Sequence, residues 1–136
     1  NRFWEELLIP HLQKKYRAKP VHSVKEIEKL RKLFPNNIKL FVLSEADTLL
    51  AGVVLFENKK VVKSQYVAVN EQGRAKRALD YLYLYLIKKY KQDGFAYFDL
   101  GHVNIENGKK YNASLAKYKE ELGAKPFLAD HYLWKL

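Results

Sequence analysis

A chain of 136 residues, 48% apolar and 14% aromatic, is long enough to bury one core and too apolar to stay disordered. Its 25 lysines and arginines against 15 acidic residues give +10, which implies anionic partners or a solubilising surface; the cations are spread along the chain and no nucleic-acid reader motif accompanies them. There is no cysteine, so disulfides, thiolate metal sites and cysteine nucleophiles are excluded, and no run of 18 apolar residues offers a membrane span.

Residues 3–16, FWEELLIPHLQKKY, read as a helix with Phe3, Trp4, Leu7, Leu8 and Leu12 on one face, kinked or restarted at Pro10. A second helix is announced by Ser23 and Glu26, an S-x-x-E capping box, carries Ile27, Leu30, Leu33 and Phe34, and stops at Pro35. The period then changes. IKLFVLSEA, TLLAGVVLFENKK and VVKSQYVAVN are β-rich runs with turns at Glu45–Asp47 and Asn58–Lys59, an antiparallel meander, and Gly52 suggests a bulge in the middle strand.

A loop with one glycine leads into a long helix over about residues 75–92, ended by Asp93–Gly94. Leucines and tyrosines ring this helix, which predicts that it is largely buried. FAYFDLG follows as a short strand, so strand, helix and strand form a right-handed parallel βαβ unit. HVNIENG is a loop. The last helix carries Tyr111, Leu115, Tyr118 and Leu122 and ends at Gly123, and DHYLWKL closes the chain as a strand. The fold class is a mixed α/β sheet with helices on both faces, in one domain over residues 1–136.

The helix near residue 75 poses a physical problem. Arg74, Lys76 and Arg77 stand at its start, where the backbone dipole is already positive. A bound anion resolves the conflict, since helix N–H groups and cations converge on it; side chains pointing into solvent resolve it as well. None of His11, His22, His102 and His131 has the spacing of a metal site, and neither a G-x-S-x-G nor a P-loop is present. A cysteine-free chain without a signal peptide suits the cytoplasm. A start at Asn1 without any methionine leads us to expect a piece of a longer protein.

The element order, two helices, a meander, a central helix and a parallel strand, resembles the GNAT acyltransferase fold, with its first strand missing. The local text, Phe98-Asp99-Leu100-Gly101, Asn107-Gly108, Leu115-Ala116-Lys117-Tyr118-Lys119 and Gly123-Ala124, resembles the C-terminal GNAT half of two-domain Fem-type (FemAB/FemX-like) proteins. The GNAT resemblance implies transfer of an acyl group from acyl-coenzyme A, typically acetyl-CoA, to an amine. The Fem-type resemblance implies bacterial cell-wall or polysaccharide chemistry, with aminoacyl-tRNA as donor, and an N-terminal half as partner; the edge left by the missing first strand offers pairing to that half or to a second copy.

On that reading Val69, Gln72, Gly73, Arg74, Ala75, Lys76 and Arg77 hold the donor's diphosphate. The GNAT loop pattern [RQ]-x-x-G-x-[GA] is only partly met: read from Gln72, the fourth place is Ala75 and the sixth Arg77. Asp99, His102 and Tyr111 are the catalytic candidates, as amine base or ligand, base, and acid to the leaving thiolate. Each has an ordinary structural role available: Asp99 as a loop cap, His102 as an incidental exposed histidine, Tyr111 as part of the core stripe. Asn104, Asn107 and Lys119 are candidates for substrate contact. A non-catalytic GNAT-like half, acting as scaffold or binding platform, is the alternative function.

Overall fold

The structure, a computed structural model, describes residues 2–106, 108–128, 130, 132 and 134. The chain divides into two compact units, Asn1–Gly101 and His102–Leu136.

The first unit opens with π-helical residues Phe3–Leu8 that run directly into α1, Ile9–Tyr16. The change of helix type falls just before Pro10. Proline has no N–H for the α-helical ladder, and the wider turn, with Ile9 N–H donating to the Trp4 carbonyl, accommodates its ring. Helix α2, Val24–Leu33, has the expected capping box: Ser23 Oγ accepts from Glu26 N–H (3.3 Å), and Glu26 Oε2 accepts from Ser23 N–H (2.7 Å). The meander follows as β1 (Ile38–Glu45), β2 (Thr48–Asn58) and β3 (Val61–Val69). Helices α3 (Glu71–Ala75) and α4 (Ala78–Gln92) lead to β4 (Tyr97–Asp99), which lies parallel to β3; the sheet order is β1-β2-β3-β4.

One sheet face is covered by Phe3, Trp4, Leu7, Leu8 and Ile27, which pack over Ile38, Leu49, Val54, Tyr66 and Ala68. Helix α4 covers the other face with Ala78, Leu82, Tyr83, Leu86 and Tyr90. The helix is not buried all round, as its composition suggested. Tyr81, Leu84 and Tyr85 point outward and are more than half exposed.

The predicted bulge at Gly52 is also displaced. Gly52 is in regular register with Val42 and Ala68; the register shifts at Leu43/Ser44 and at Val54/Leu55, leaving Leu50 of β2 and Gln65 of β3 as the extra residues. Gly52 is required by packing instead. A Cβ there would lie 2.5 Å from the Phe3 ring. Gly52→Ala should therefore push Phe3 out of its place and cost about 1–3 kcal/mol, as overpacking does. Urea denaturation checks this, and pairing with Phe3→Leu should recover most of the loss.

In the second unit a two-stranded hairpin, β5 (Asn104–Ile105) and β6 (Lys110–Tyr111), replaces the predicted loop, and α5 (Ala113–Glu121) follows. Asn112 caps α5, its side-chain oxygen accepting from Leu115 N–H (3.1 Å). Tyr111 therefore lies in a strand ahead of the helix and is exposed, not part of a core stripe; Ala116 is the buried residue of α5. In the closing strand expected from DHYLWKL, residues His131, Leu133, Lys135 and Leu136 lie outside the described residues.

Candidate active site

The parallel pair is short. β3 meets β4 only through Val61–Lys63 and Tyr97–Asp99, and then runs on to Val69. The bulge at Gln65 falls just past the point where β4 ends. The upper half of β3 thus projects beyond β4 and leads straight into a turn and a helix start.

At that turn Asn70 organises the backbone. Its N–H donates to the Leu50 carbonyl (3.0 Å), its side-chain amide donates to the Leu49 carbonyl (2.7 Å), and its Oδ1 accepts from Gly73 N–H (2.6 Å). Gly73 is buried, and a Cβ on it would come within 2.3 Å of the Leu50 carbonyl oxygen. Glycine is needed there so that α3 can lie on β2.

The central helix does not begin at residue 75. Arg77 adopts a left-handed conformation (φ 55°, ψ 33°) and separates α3 from α4, whose first turn has no side-chain cap. A helix of 15 residues thus opens with N–H groups directed at the turn that carries Arg74, Lys76 and Arg77. One acid from β1 and one in the first turn of α4 itself relieve the repulsion. Lys76 Nζ pairs with Glu45 at 2.5 Å, Arg77 Nε with Asp80 at 2.7 Å, and Lys14 with Glu71. Hydrogen bonds from their lysine partners hold Glu45 and Glu71 below the usual carboxylate range. These pairs are exposed, and exposed pairs contribute little, so a phosphate can compete for the cations.

His11 adds a group that its sequence position did not reveal. Its Nδ1 lies 3.3 Å from the Val69 carbonyl at the end of β3. Since a carbonyl only accepts, Nδ1 carries the proton. Burial first, then the nearby cations Lys15 and Arg74, push the imidazole pKa down against the Val69 hydrogen bond. The folded value lies below the unfolded one, so the neutral form's contribution is present above pH ~6.5 and is lost as pH falls through the folded value. An NMR titration should find the His11 midpoint below the ordinary imidazole value of about 6.5.

Two buried hydroxyls sit where β4 ends. Ser64 on β3 hydrogen-bonds Tyr83 of α4 at 2.8 Å, and burial raises the Tyr83 pKa to about 12 despite that bond. The pair joins the splay point to the central helix. Asp99, at the end of β4, is exposed and accepts from Gly101 N–H (2.7 Å), the loop-capping role open to it. In the second unit His102 is exposed and its carbonyl accepts from Lys119 Nζ at 2.8 Å; Asn104 and Tyr111 are cross-strand partners in the hairpin. Asn107 lies outside the described residues. Among the described residues no cluster of acids and histidines is placed to hold a metal ion, and no helix is long and apolar enough to cross a membrane.

The sequence matches the acetyltransferase (GNAT) domain family over residues 4–120, which takes in both faces of the sheet, the β3–α4 turn and nearly all of α5. The chain belongs to the GNAT acetyltransferase domain family. Solved structures share its fold. An aminoglycoside acetyltransferase from an uncultured soil metagenomic sample, in complex with sisomicin, superposes with a TM-score of 0.66 at 16% identity, over 95% of this chain and 86% of that one. A Bacillus subtilis acetyltransferase in complex with CoA gives 0.56 at 17% identity, over 90% and 69%. A Clostridium difficile protein described as a possible acetyltransferase gives 0.67 at 18%, over 94% and 87%. No curated protein matches the sequence. In this GNAT domain, the overhanging β3 and the α4 N-terminus are the features on which a donor site can be built.

Proposed function

We propose that this domain transfers an acetyl group from acetyl-coenzyme A to an amine. The observation that carries the reading is the β3–β4 splay feeding an uncapped helix start ringed by Arg74, Lys76 and Arg77. An extended thioester arm suits the edge of β3 that runs on past the end of β4, and a diphosphate suits the N–H groups and cations at the turn. Val69, Gln72, Gly73 and Ala75 shape that turn, with Gly73 acting through its close approach to β2.

Transfer then needs an unprotonated amine that attacks the thioester carbonyl. The resulting oxyanion collapses, the C–S bond breaks, and the thiolate takes a proton. Asp99 and His102 are the groups proposed to hold or deprotonate the ammonium, and Tyr111 the group proposed to protonate the thiolate. Asn104, Asn107 and Lys119 are proposed to contact the acceptor. Much of the acceleration in such a reaction comes from placing a good nucleophile beside its electrophile. A cytoplasmic location fits, since acetyl-coenzyme A is made there. The Fem-type resemblance supports bacterial cell-wall or polysaccharide amines as acceptors and aminoacyl-tRNA as a competing donor.

The second reading, a non-catalytic half that binds a partner or an anion, draws support from the same turn. Gly73 N–H is already taken by Asn70, and side chains stand where the GNAT loop pattern has glycine. Calorimetric titration with acetyl-coenzyme A separates the two. The first reading expects micromolar binding that weakens about tenfold or more in Arg74→Glu and in Arg77→Glu, the loss of roughly one charge-assisted contact each. Absence of binding by the unaltered chain supports the scaffold instead.

A further inference from the structure

Val69 ends β3 on the edge that runs on past β4. Asn70 N–H donates to the Leu50 carbonyl, so those two residues form a hydrogen-bonded pair. Such pairs alternate along an antiparallel ladder. Val69, opposite Ala51, therefore turns its N–H and C=O away from β2, toward that edge. His11 of α1 takes the carbonyl with Nδ1–H. The hold survives a change of charge: Nδ1 keeps its proton in both forms, so a second proton enters the ring only at Nε2.

Burial opposes that second proton, and so do Lys15 on the same helix and Arg74 of α3. The Tyr16 ring stands edge-on to His11 at 6.3 Å, with Lys15 Nζ 5.2 Å from its centre. Around them Lys14, Lys76 and Arg77 each face an acid, in Glu71, Glu45 and Asp80. Lys15 and Arg74 have no ion pair among the described residues. An anion that settles against these two cations offsets their field at the imidazole and favours its charged form.

We propose, on the acetyl-donor reading of this turn, that His11 is a further donor-binding residue: fixed on Val69, it takes a proton at Nε2 when the donor's diphosphate reaches Lys15 and Arg74. The donor-bound midpoint of His11 then lies above the donor-free one. Affinity is lowest above both midpoints and rises as pH falls through them. Glu45 and Glu71, held below the carboxylate range by their lysine partners, stay ionised meanwhile.

The test uses acetyl-dephospho-coenzyme A, which keeps the diphosphate but lacks the 3′-phosphate, a group that itself titrates near pH ~6. The His11 midpoint, followed by NMR in the unaltered chain, should rise by about one unit at saturation, a tenfold gain in affinity as pH falls from about 8 through both midpoints. Acetyl-pantetheine, without phosphate, should leave the midpoint in place. His11→Asn keeps a side-chain N–H near the position of Nδ1 but cannot titrate, so calorimetry should find the pH dependence flattened. Donor binding with an unmoved His11 midpoint, or an equal rise with acetyl-pantetheine, overturns the proposal and leaves acetyl transfer standing. No binding at any pH overturns the donor reading and this proposal with it.

Discussion

Gly73→Ala should destabilise the domain by roughly 3 kcal/mol or more and disable the turn at the candidate active site at the same time. The added Cβ would lie 2.3 Å from the Leu50 carbonyl oxygen, 2.8 Å from its carbon, and 3.1 Å from Asn70 Oδ1. Two of these neighbours are backbone atoms of a central strand, which a rotamer change cannot move. Overpacking a core side chain commonly costs about 1–3 kcal/mol. Here α3 must lift off β2, and the Asn70 bond to Gly73 N–H goes with it, so the cost sits at or above the top of that range. Because α3 leads into left-handed Arg77 and the start of α4, donor affinity should fall in the protein that remains folded. Urea denaturation and acetyl-coenzyme A titration on one preparation check both halves. A stability change below about 1 kcal/mol would mean that α3 does not lie against β2 as described. By contrast, Arg77→Glu should leave stability nearly unchanged while affecting affinity, because its side chain is exposed.

The residues that could be read from sequence are those whose partners lie close by in the chain. Ser23 and Glu26 find each other within one helical turn, so α2 was announced by its own text. The meander was legible because β-branched runs broken by polar turns have few other solutions. The family resemblance drew on the order of the elements and on short stretches between Phe98 and Ala124. What escaped depended on distant contacts. Arg77 gives no hint of its left-handed backbone, since Arg, Ala and Lys all favour a continuous helix; only the fold shows where α3 must stop. Glu45, which neutralises Lys76, lies 31 positions upstream, and His11 meets the Val69 carbonyl across 58. Gly52 was taken for a bulge because a glycine inside a strand has two common causes, and only the position of the Phe3 ring decides between them. The outward stripe Tyr81, Leu84 and Tyr85 on α4 was hidden by an apolar composition that fails to distinguish the buried side from the exposed one.

Tyr90→Phe should cost about 2 kcal/mol, although it removes a single oxygen. Glu57 is the one charged residue among those described that is buried in the core, its side chain 8% exposed. Its carboxylate accepts from the Tyr90 hydroxyl and from Lys39 Nζ (2.9 Å), while its backbone is tied to Asn37. Burial, and then the carboxylate, push the Tyr90 pKa well up, so the phenol stays protonated and remains a donor throughout the usual pH range. A hydrogen bond to a charged group contributes about 1.5–3 kcal/mol, and a buried charge left short of a partner is costly. The ring itself is held edge-on by Phe41, Phe95 and Phe98 at 6.3, 5.1 and 5.9 Å, so phenylalanine should keep the packing and isolate the hydroxyl. Lys39→Met should cost less, about 1 kcal/mol, because that ammonium is half exposed and water replaces it. A double-mutant cycle makes the claim specific. In a Glu57→Gln background the carboxylate charge is gone, and Tyr90→Phe should lose roughly half its effect. Equal costs in the two backgrounds would show that the hydroxyl and the carboxylate are not coupled. This contact fastens the last turns of α4 to β2, away from the first turn with Arg77, the end proposed to meet the donor. Tyr90→Phe should therefore lower the melting temperature while leaving acetyl-coenzyme A affinity close to that of the unaltered domain.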